Sequence, residues 1–237
     1  MQTAVLTHVG LVRQRNEDSY AVLPEHSLFA VADGMGGHQA GELASSLALK
    51  ILGELVARPR QGEDCREQLA QAVQEANRRV YELSQKDADK QGMGTTLTAV
   101  WIKDGVAHLA HIGDSRAYLI RNSQLSLLTN DHSLVGELLR QGSLTPSEAQ
   151  SHPRRHALTR ALGIEAEVKV DTRSMTLNQN DLLFLCTDGL TNLVSDEEIN
   201  AVFAETEGLQ AALEKLVQLC LKRGAHDNIT MLAIRMD

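Results

Sequence analysis

The sequence predicts an α+β fold in which two mostly antiparallel sheets pack face to face with helices outside. Three observations carry that reading. Apolar residues recur at helical spacing in two blocks, 39–86 and 195–222. Elsewhere the period falls to two, in short apolar runs. Those runs are joined by turn pairs such as Asp104-Gly105, Gly113-Asp114 and Asn122-Ser123. Helices and strands of this kind bury their apolar faces by stacking in layers.

Residues 3–9 and 27–32 read as strands, the second almost wholly apolar and therefore buried. A helix follows over 39–57, with Leu43, Leu47, Ile51 and Leu55 on one face, stopped by Pro59 and Gly62. A second helix covers 63–86. Runs 95–102, 105–112, 116–121 and 124–128 then read as one antiparallel meander. Residues 129–165 are polar and partly basic, and form an excursion from the domain. Within them Thr145-Pro146-Ser147-Glu148 is a capping box with proline in the first helical position, so a short helix starts there. Strands return at 168–175 and 182–187. Ser195-Asp196-Glu197-Glu198 opens a helix to about Glu205, another runs from Leu209 to Lys222, and 228–235 is the last strand.

At 237 residues the chain is long enough to bury a core without disulfide staples, and Cys65, Cys186 and Cys220 form no CxxC pair. Neither a disulfide framework nor a zinc ribbon is expected. A net charge of −8 with no basic block excludes nucleic acid as an expected partner. The first residues lack a signal-peptide pattern, and no apolar run approaches the ~20 residues that span a bilayer. A cytoplasmic protein without membrane contact is expected. Scarce aromatics and no exposed apolar stripe predict a monomer.

Three buried strands end on acids: 28–32 runs into Asp33-Gly34, 182–187 into Asp188-Gly189, and 108–113 into Asp114. Asp227 precedes the last strand. Any one Asp-Gly marks a turn. Several carboxylates at one sheet end would repel, and a divalent cation resolves the conflict. An all-oxygen ligand set suits Mg²⁺ or Mn²⁺ rather than zinc. Arg13, with Glu17 and Asp18, adds a guanidinium suited to gripping a phosphate. His108 and His111 are an odd number apart on a strand, so they face opposite ways and do not share a metal. His152 and His156 flank Arg154-Arg155 as surface residues facing an acidic phosphopeptide. Gly113-Asp114-Ser115 raises a serine hydrolase, but no late Asp-x-x-His accompanies it.

Six segments occur in order between residues 10 and 230: Arg13-x-x-Asn16-Glu17-Asp18, Val31-Ala32-Asp33-Gly34-Met35-Gly36-Gly37-His38, Gly94-Thr95-Thr96, Gly113-Asp114-Ser115-Arg116, Thr187-Asp188-Gly189-Leu190 and Asp227-Asn228-Ile229-Thr230. Together they resemble the metal-dependent Ser/Thr protein phosphatase 2C (PPM) family, in particular its small bacterial single-domain members. The resemblance implies a single domain over 1–237, a four-layer α-β-β-α sandwich, and a flap at about 132–163 beside the active site. It implies hydrolysis of phosphoserine and phosphothreonine in proteins by a hydroxide shared between two Mn²⁺ or Mg²⁺ ions, opposing Ser/Thr kinases in signalling. Asp33 would bridge the ions, the Gly34 carbonyl would ligate one, and Asp188 and Asp227 the other. Asp114 and Asp188 would hold a third, weaker ion. Glu17 and Asp18 would act through water and Arg13 would hold phosphate. Many eukaryotic members of the family have histidine directly after Asp-Gly; here that position is Met35. His38 protonates the leaving alkoxide, caps the first helix or shapes the substrate surface. The other reading of the same fold is a catalytically weak phosphoprotein-binding module.

Overall fold

The structure, a computed structural model, describes residues 1–37, 40–58, 62–86 and 88–237, apart from the side chains of residues 146 and 150. Two sheets lie back to back. The first joins β2 (Asp18–Leu23), β3 (Leu28–Met35), β5 (Leu97–Lys103), β6 (Val106–Ile112) and β9 (Asp171–Thr176) in that order, with β4 (Gly94–Thr95) paired to the end of β3. The second has the order β1 (Gln2–His8), β11 (Ile229–Arg235), β10 (Leu182–Cys186), β7 (Arg116–Arg121), β8 (Gln124–Leu127). Every strand pairing among the described residues is antiparallel.

Alternation along the strands builds three cores. On β3, Leu28, Ala30 and Ala32 face α1 (Ala40–Val56) and α2 (Cys65–Lys86). Phe29 and Val31 point the other way, into the space between the sheets, where they join Leu183, Leu185, Leu232 and Ile234. On β10 and β11, Phe184, Cys186, Met231 and Ala233 face α6 (Asp196–Glu205) and α7 (Leu209–Lys222). Strands buried on both faces must be apolar at every position, which is why 28–32 and 182–186 read as continuous apolar runs. Both sequence-read capping boxes form: Ser195 caps α6, and Thr145 caps α4 (Pro146–Ser151).

Three local readings need correction. The strands 95–128 are not one meander. β5 and β6 pair in one sheet, β7 and β8 in the other, and the chain changes sheets at residues 113–115. Gly113 has the φ of +104° that this crossover uses. The turn chemistry there is that of a hairpin, but the flanking strands find different partners. Second, a strand was not read between residues 9 and 27, yet Asp18 opens β2, an edge strand with Tyr20 44% exposed, whose weak burial hid it. Third, the excursion at 129–165 carries a helix that periodicity did not reveal, α3 (Leu134–Arg140), and is tied down at both ends. Ser133 bridges Leu158, and Thr95 pairs with the fully buried Leu162.

Candidate metal and phosphate centre

The antiparallel register places Asp18 directly opposite Asp33, at the shared end of β2 and β3. Opposed residues in such a pair have Cβ atoms roughly 5 Å apart, so two carboxylates are forced together by strand pairing alone. The backbone at Asp33 is clamped. Its N–H donates to Thr96 Oγ1 at 2.9 Å, and its carbonyl accepts from the Thr96 N–H and from Thr95 Oγ1, each at 2.9 Å. The next amide, Gly34, donates to the Glu17 carbonyl at 3.2 Å. Glycine is required at position 34, because a Cβ there would lie 2.1 Å from the Gly41 carbonyl oxygen on α1.

The second sheet supplies its acids in the same way. Asp188 begins the short helix α5 (Asp188–Thr191) directly after β10, and Asn192 Nδ2 donates to its Oδ2 at 2.9 Å. A Cβ on Gly189 would sit 1.9 Å from the Asn228 carbonyl oxygen, so glycine lets α5 press against the Asp227-Asn228 segment. Asn228 links that segment to the N-terminal loop: its Oδ1 accepts from the Glu17 N–H, and its Nδ2 donates to the Val9 and Arg15 carbonyls. Thr187 joins the two sheets by donating from Oγ1 to Asp18 Oδ2 at 2.9 Å. Thr96 Oγ1 is 2.6 Å from Ser115 Oγ, which fixes the residue after Asp114.

Arg13 is not free. Its Nε lies 2.9 Å from Asp227 Oδ1, and Nη2 donates to Oδ2 at 2.9 Å. The guanidinium thus already holds an anion of the centre in the two-pronged geometry that suits phosphate. From the segment 129–165, the exposed His156 brings Nδ1 to 3.9 Å from Asp188 Oδ2. His38 lies outside the described residues.

Electrostatics set these acids in conflict. Burial first, then Asp18, Asp188, Asp114 and Asp227, push the Asp33 carboxyl well above the ordinary value. Burial, then Asp188 and Asp131, do the same to Asp114. Asp18 is pushed up to about 7, chiefly by burial, against hydrogen bonds from Thr230 and Thr187. Burial also raises Glu17, with Arg13 opposing. Asp188 goes the other way: burial is the largest influence and raises it, but the nearby His156, the Asp33 carboxyl and the Asn192 amide together outweigh it.

Among the described residues, no three His, Cys, Asp or Glu side chains are already closed into a set that could hold a metal ion. The carboxylates are instead engaged with Arg13, Thr187, Asn192 and one another. The centre nevertheless fits hard divalent cations. Asp18 Oδ1 and Asp188 Oδ1 are buried with no hydrogen-bond partner, and an orphaned carboxylate oxygen is costly unless something positive meets it. The charged donors are all oxygens, as Mn²⁺ or Mg²⁺ prefer. The supporting roles of Thr96, Thr187 and Asn228 were not foreseen; each lies within a quoted motif, but a hydroxyl or amide announces a hydrogen bond only once its partner is placed.

The Protein phosphatase 2C family model matches residues 10–230. The serine/threonine phosphatase stp of Listeria monocytogenes is 37% identical over 243 residues, covering 100% of this chain and 96% of that protein. Protein phosphatase PhpP of Streptococcus pneumoniae is 38% identical over 242 residues, with 100% and 98% covered. Among solved structures, the Mycobacterium tuberculosis serine/threonine phosphatase PstP/Ppp matches with a TM-score of 0.92 at 37% identity, over 100% of this chain and 98% of that one. The PstP catalytic domain in complex with 2 manganese ions matches with a TM-score of 0.90 at 36% identity, over 100% and 98%. Similarity across the whole motif series, together with the shared two-sheet architecture, places the chain in the protein phosphatase 2C family.

Proposed function

We propose that the chain is a divalent-metal-dependent phosphatase that hydrolyses phosphoserine and phosphothreonine in proteins. The observation that carries this reading is the buried acid cluster at the joined ends of two sheets, with two orphaned carboxylate oxygens and a bidentate arginine at its rim. Bound Mn²⁺ or Mg²⁺ supplies a water of lowered pKa and neutralises phosphate charge. Asp33 and the Gly34 carbonyl hold the cations from the first sheet, and Asp188 and Asp227 from the second. Asp114, facing Asp188 electrostatically, completes a third and weaker position. Glu17 and Asp18 accept hydrogen bonds from surrounding water. Arg13 exchanges Asp227 for the substrate phosphate, an exchange of one anion for another in the same fork. His38 donates a proton to the departing serine or threonine oxygen; a His38→Ala variant that slows poor leaving groups no more than good ones would exclude this.

The substrate side is formed by the flap, where Arg154 and Arg155 are exposed next to His156. Their charge suits acidic residues around the phosphorylated side chain. The protein acts in the cytoplasm as a monomer opposing a Ser/Thr kinase; no helix among the described residues is long and apolar enough to cross a membrane. A purely phosphoprotein-binding role is not favoured, since Asp33, Asp188 and Asp227 are all present. The deciding experiment is phosphate release from phosphoserine, phosphothreonine and phosphotyrosine peptides with acidic or basic flanks, in Mn²⁺ or Mg²⁺. Turnover of the first two is expected, fastest with acidic flanks. Turnover of phosphotyrosine alone, or of no peptide, contradicts the proposal.

A further inference from the structure

His132 lies buried at the foot of the flap, and all four of its hydrogen-bonding atoms reach other segments. Its N–H donates to the Gly113 carbonyl at 2.7 Å, and its carbonyl accepts from the Thr159 N–H at 2.8 Å. Ring Nδ1 accepts from the Gly113 N–H at 3.1 Å. Since Nδ1 accepts, the neutral ring carries its proton on Nε2, which lies 3.2 Å from Asp171 Oδ2 and 3.2 Å from Arg160 Nη1. Asp171 in turn accepts from Arg160 Nη1, on the returning limb of the flap, at 2.8 Å. One imidazole therefore gathers the sheet crossover, the flap and the start of β9.

The grip on the crossover is two-sided. Among the described residues, Gly113 is held at both its N–H and its carbonyl by His132. The His132 ring packs on His111, with centroids 4.8 Å apart. His111 Nδ1 is 2.9 Å from Thr98 Oγ1, which also donates to the Ser115 carbonyl at 3.0 Å. The histidine pair thus holds Gly113 directly and reaches Ser115 through the Thr98 hydroxyl. The loop bearing His132 is itself anchored, because Arg116 grips Asp131 in a fork of 2.9 and 2.7 Å.

We propose that His132 is a positioning residue that joins the flap to the Gly113–Asp114–Ser115 crossover, so that one side chain sets both the seating of the flap and the aim of Asp114. The catalytic consequence rests on the reading of Asp114 as a cation ligand; the hydrogen bond does not. In His132→Asn, Oδ1 replaces the Nδ1 acceptor and keeps the Gly113 bond. In His132→Gln, the side-chain amide reaches Asp171 and the Gly113 acceptor is lost. Three readouts decide the matter: hydrogen exchange at the Gly113 amide, the Mn²⁺ dissociation constants by calorimetry, and kcat/KM on a phosphothreonine peptide. His132→Asn is expected to stay near wild type in all three. His132→Gln is expected to exchange faster at Gly113, with the weakest Mn²⁺ site and kcat/KM each impaired about tenfold, the scale seen when a partner that orients a ligand is lost. Equal losses in both variants, or an unchanged Gly113 amide and Mn²⁺ constant in His132→Gln, overturn the proposal. If neither variant folds, a ¹⁵N–¹⁵N coupling across the Gly113–His132 hydrogen bond in the wild-type protein decides alone: its presence supports the proposal and its absence overturns it. A wild type that releases no phosphate strikes the proposed activity, while the exchange and coupling still judge this one.

Discussion

At Asp33 the backbone is held by four hydrogen bonds' worth of neighbours in Thr95, Thr96 and the adjoining Gly34–Glu17 contact, while its carboxyl sits among like charges. Such a residue keeps its place for something other than stability. Asp33→Asn removes one charge and keeps the shape. Without metal it is expected to melt at or above the wild-type temperature, because repulsion is relieved. Its phosphatase activity is expected to fall by more than the roughly 10–100-fold that loss of a ligand's partner costs. A lower metal-free Tm together with wild-type activity would contradict this assignment. Gly189 has the opposite character, tolerating no side chain. Gly189→Ala drives a Cβ into the Asn228 carbonyl, and is expected to cost about 1–3 kcal/mol, read as a Tm lower by several degrees. Asp33, Asp114 and Asp188 were legible as residues because each follows an apolar run, and Asp227 because it precedes one. Their partners were not: nothing in the sequence says that Thr187 donates to Asp18, 169 positions away.

Among the elements, capping was readable in advance because it is a contact within four residues. The boxes at Thr145 and Ser195 form as their sequences require. Removing either cap is expected to cost about 1 kcal/mol, but with different outcomes. Ser195→Ala weakens α6, whose Ile199, Val202 and Phe203 lie in a core, so the global Tm should fall. Thr145→Ala weakens a helix on the surface segment 129–165, so faster amide exchange within α4 is expected with little change in Tm. A falling Tm in the Thr145 variant alone would reverse that assignment. The sheet crossover was not readable, because Gly113-Asp114 has the composition of a hairpin turn and only strand partnership distinguishes the two. Edge strand β2 escaped notice for a related reason: its half-buried residues lack the apolar run that marks β3 and β10.

For the molecule as a whole, the layers followed from apolar periodicity, since each face must be covered, but their order came only with the family resemblance, and the convergence of acids depends on how the two sheets are joined. That convergence gives the metal-free protein an unusual response to pH. Asp18, Asp33 and Asp114 have folded-state values above that of an unfolded aspartate, so the folded chain binds more protons than the unfolded one between about pH 4 and 7. Stability from these groups is fully present below that window and is lost as the pH rises through it. Glu17 is raised in the same sense; Asp188 works in the opposite sense only below the window, and the groups that oppose the acids within it are His108, His111 and His132, which burial holds below their ordinary value. Chemical denaturation in chelator is expected to give a lower midpoint at pH 8 than at pH 5.5, and added Mn²⁺ should raise the midpoint more at pH 8. A midpoint that rises with pH in chelator would contradict the buried-acid conflict.

The most direct test of the acid cluster as a cation centre is to titrate Mn²⁺ into metal-stripped protein and follow calorimetric heat and phosphopeptide turnover together. At least two ions are expected to bind, with no turnover before the first additions, a rise that tracks occupancy, and abolition by chelator. Full turnover by the stripped protein in excess chelator would contradict the central claim.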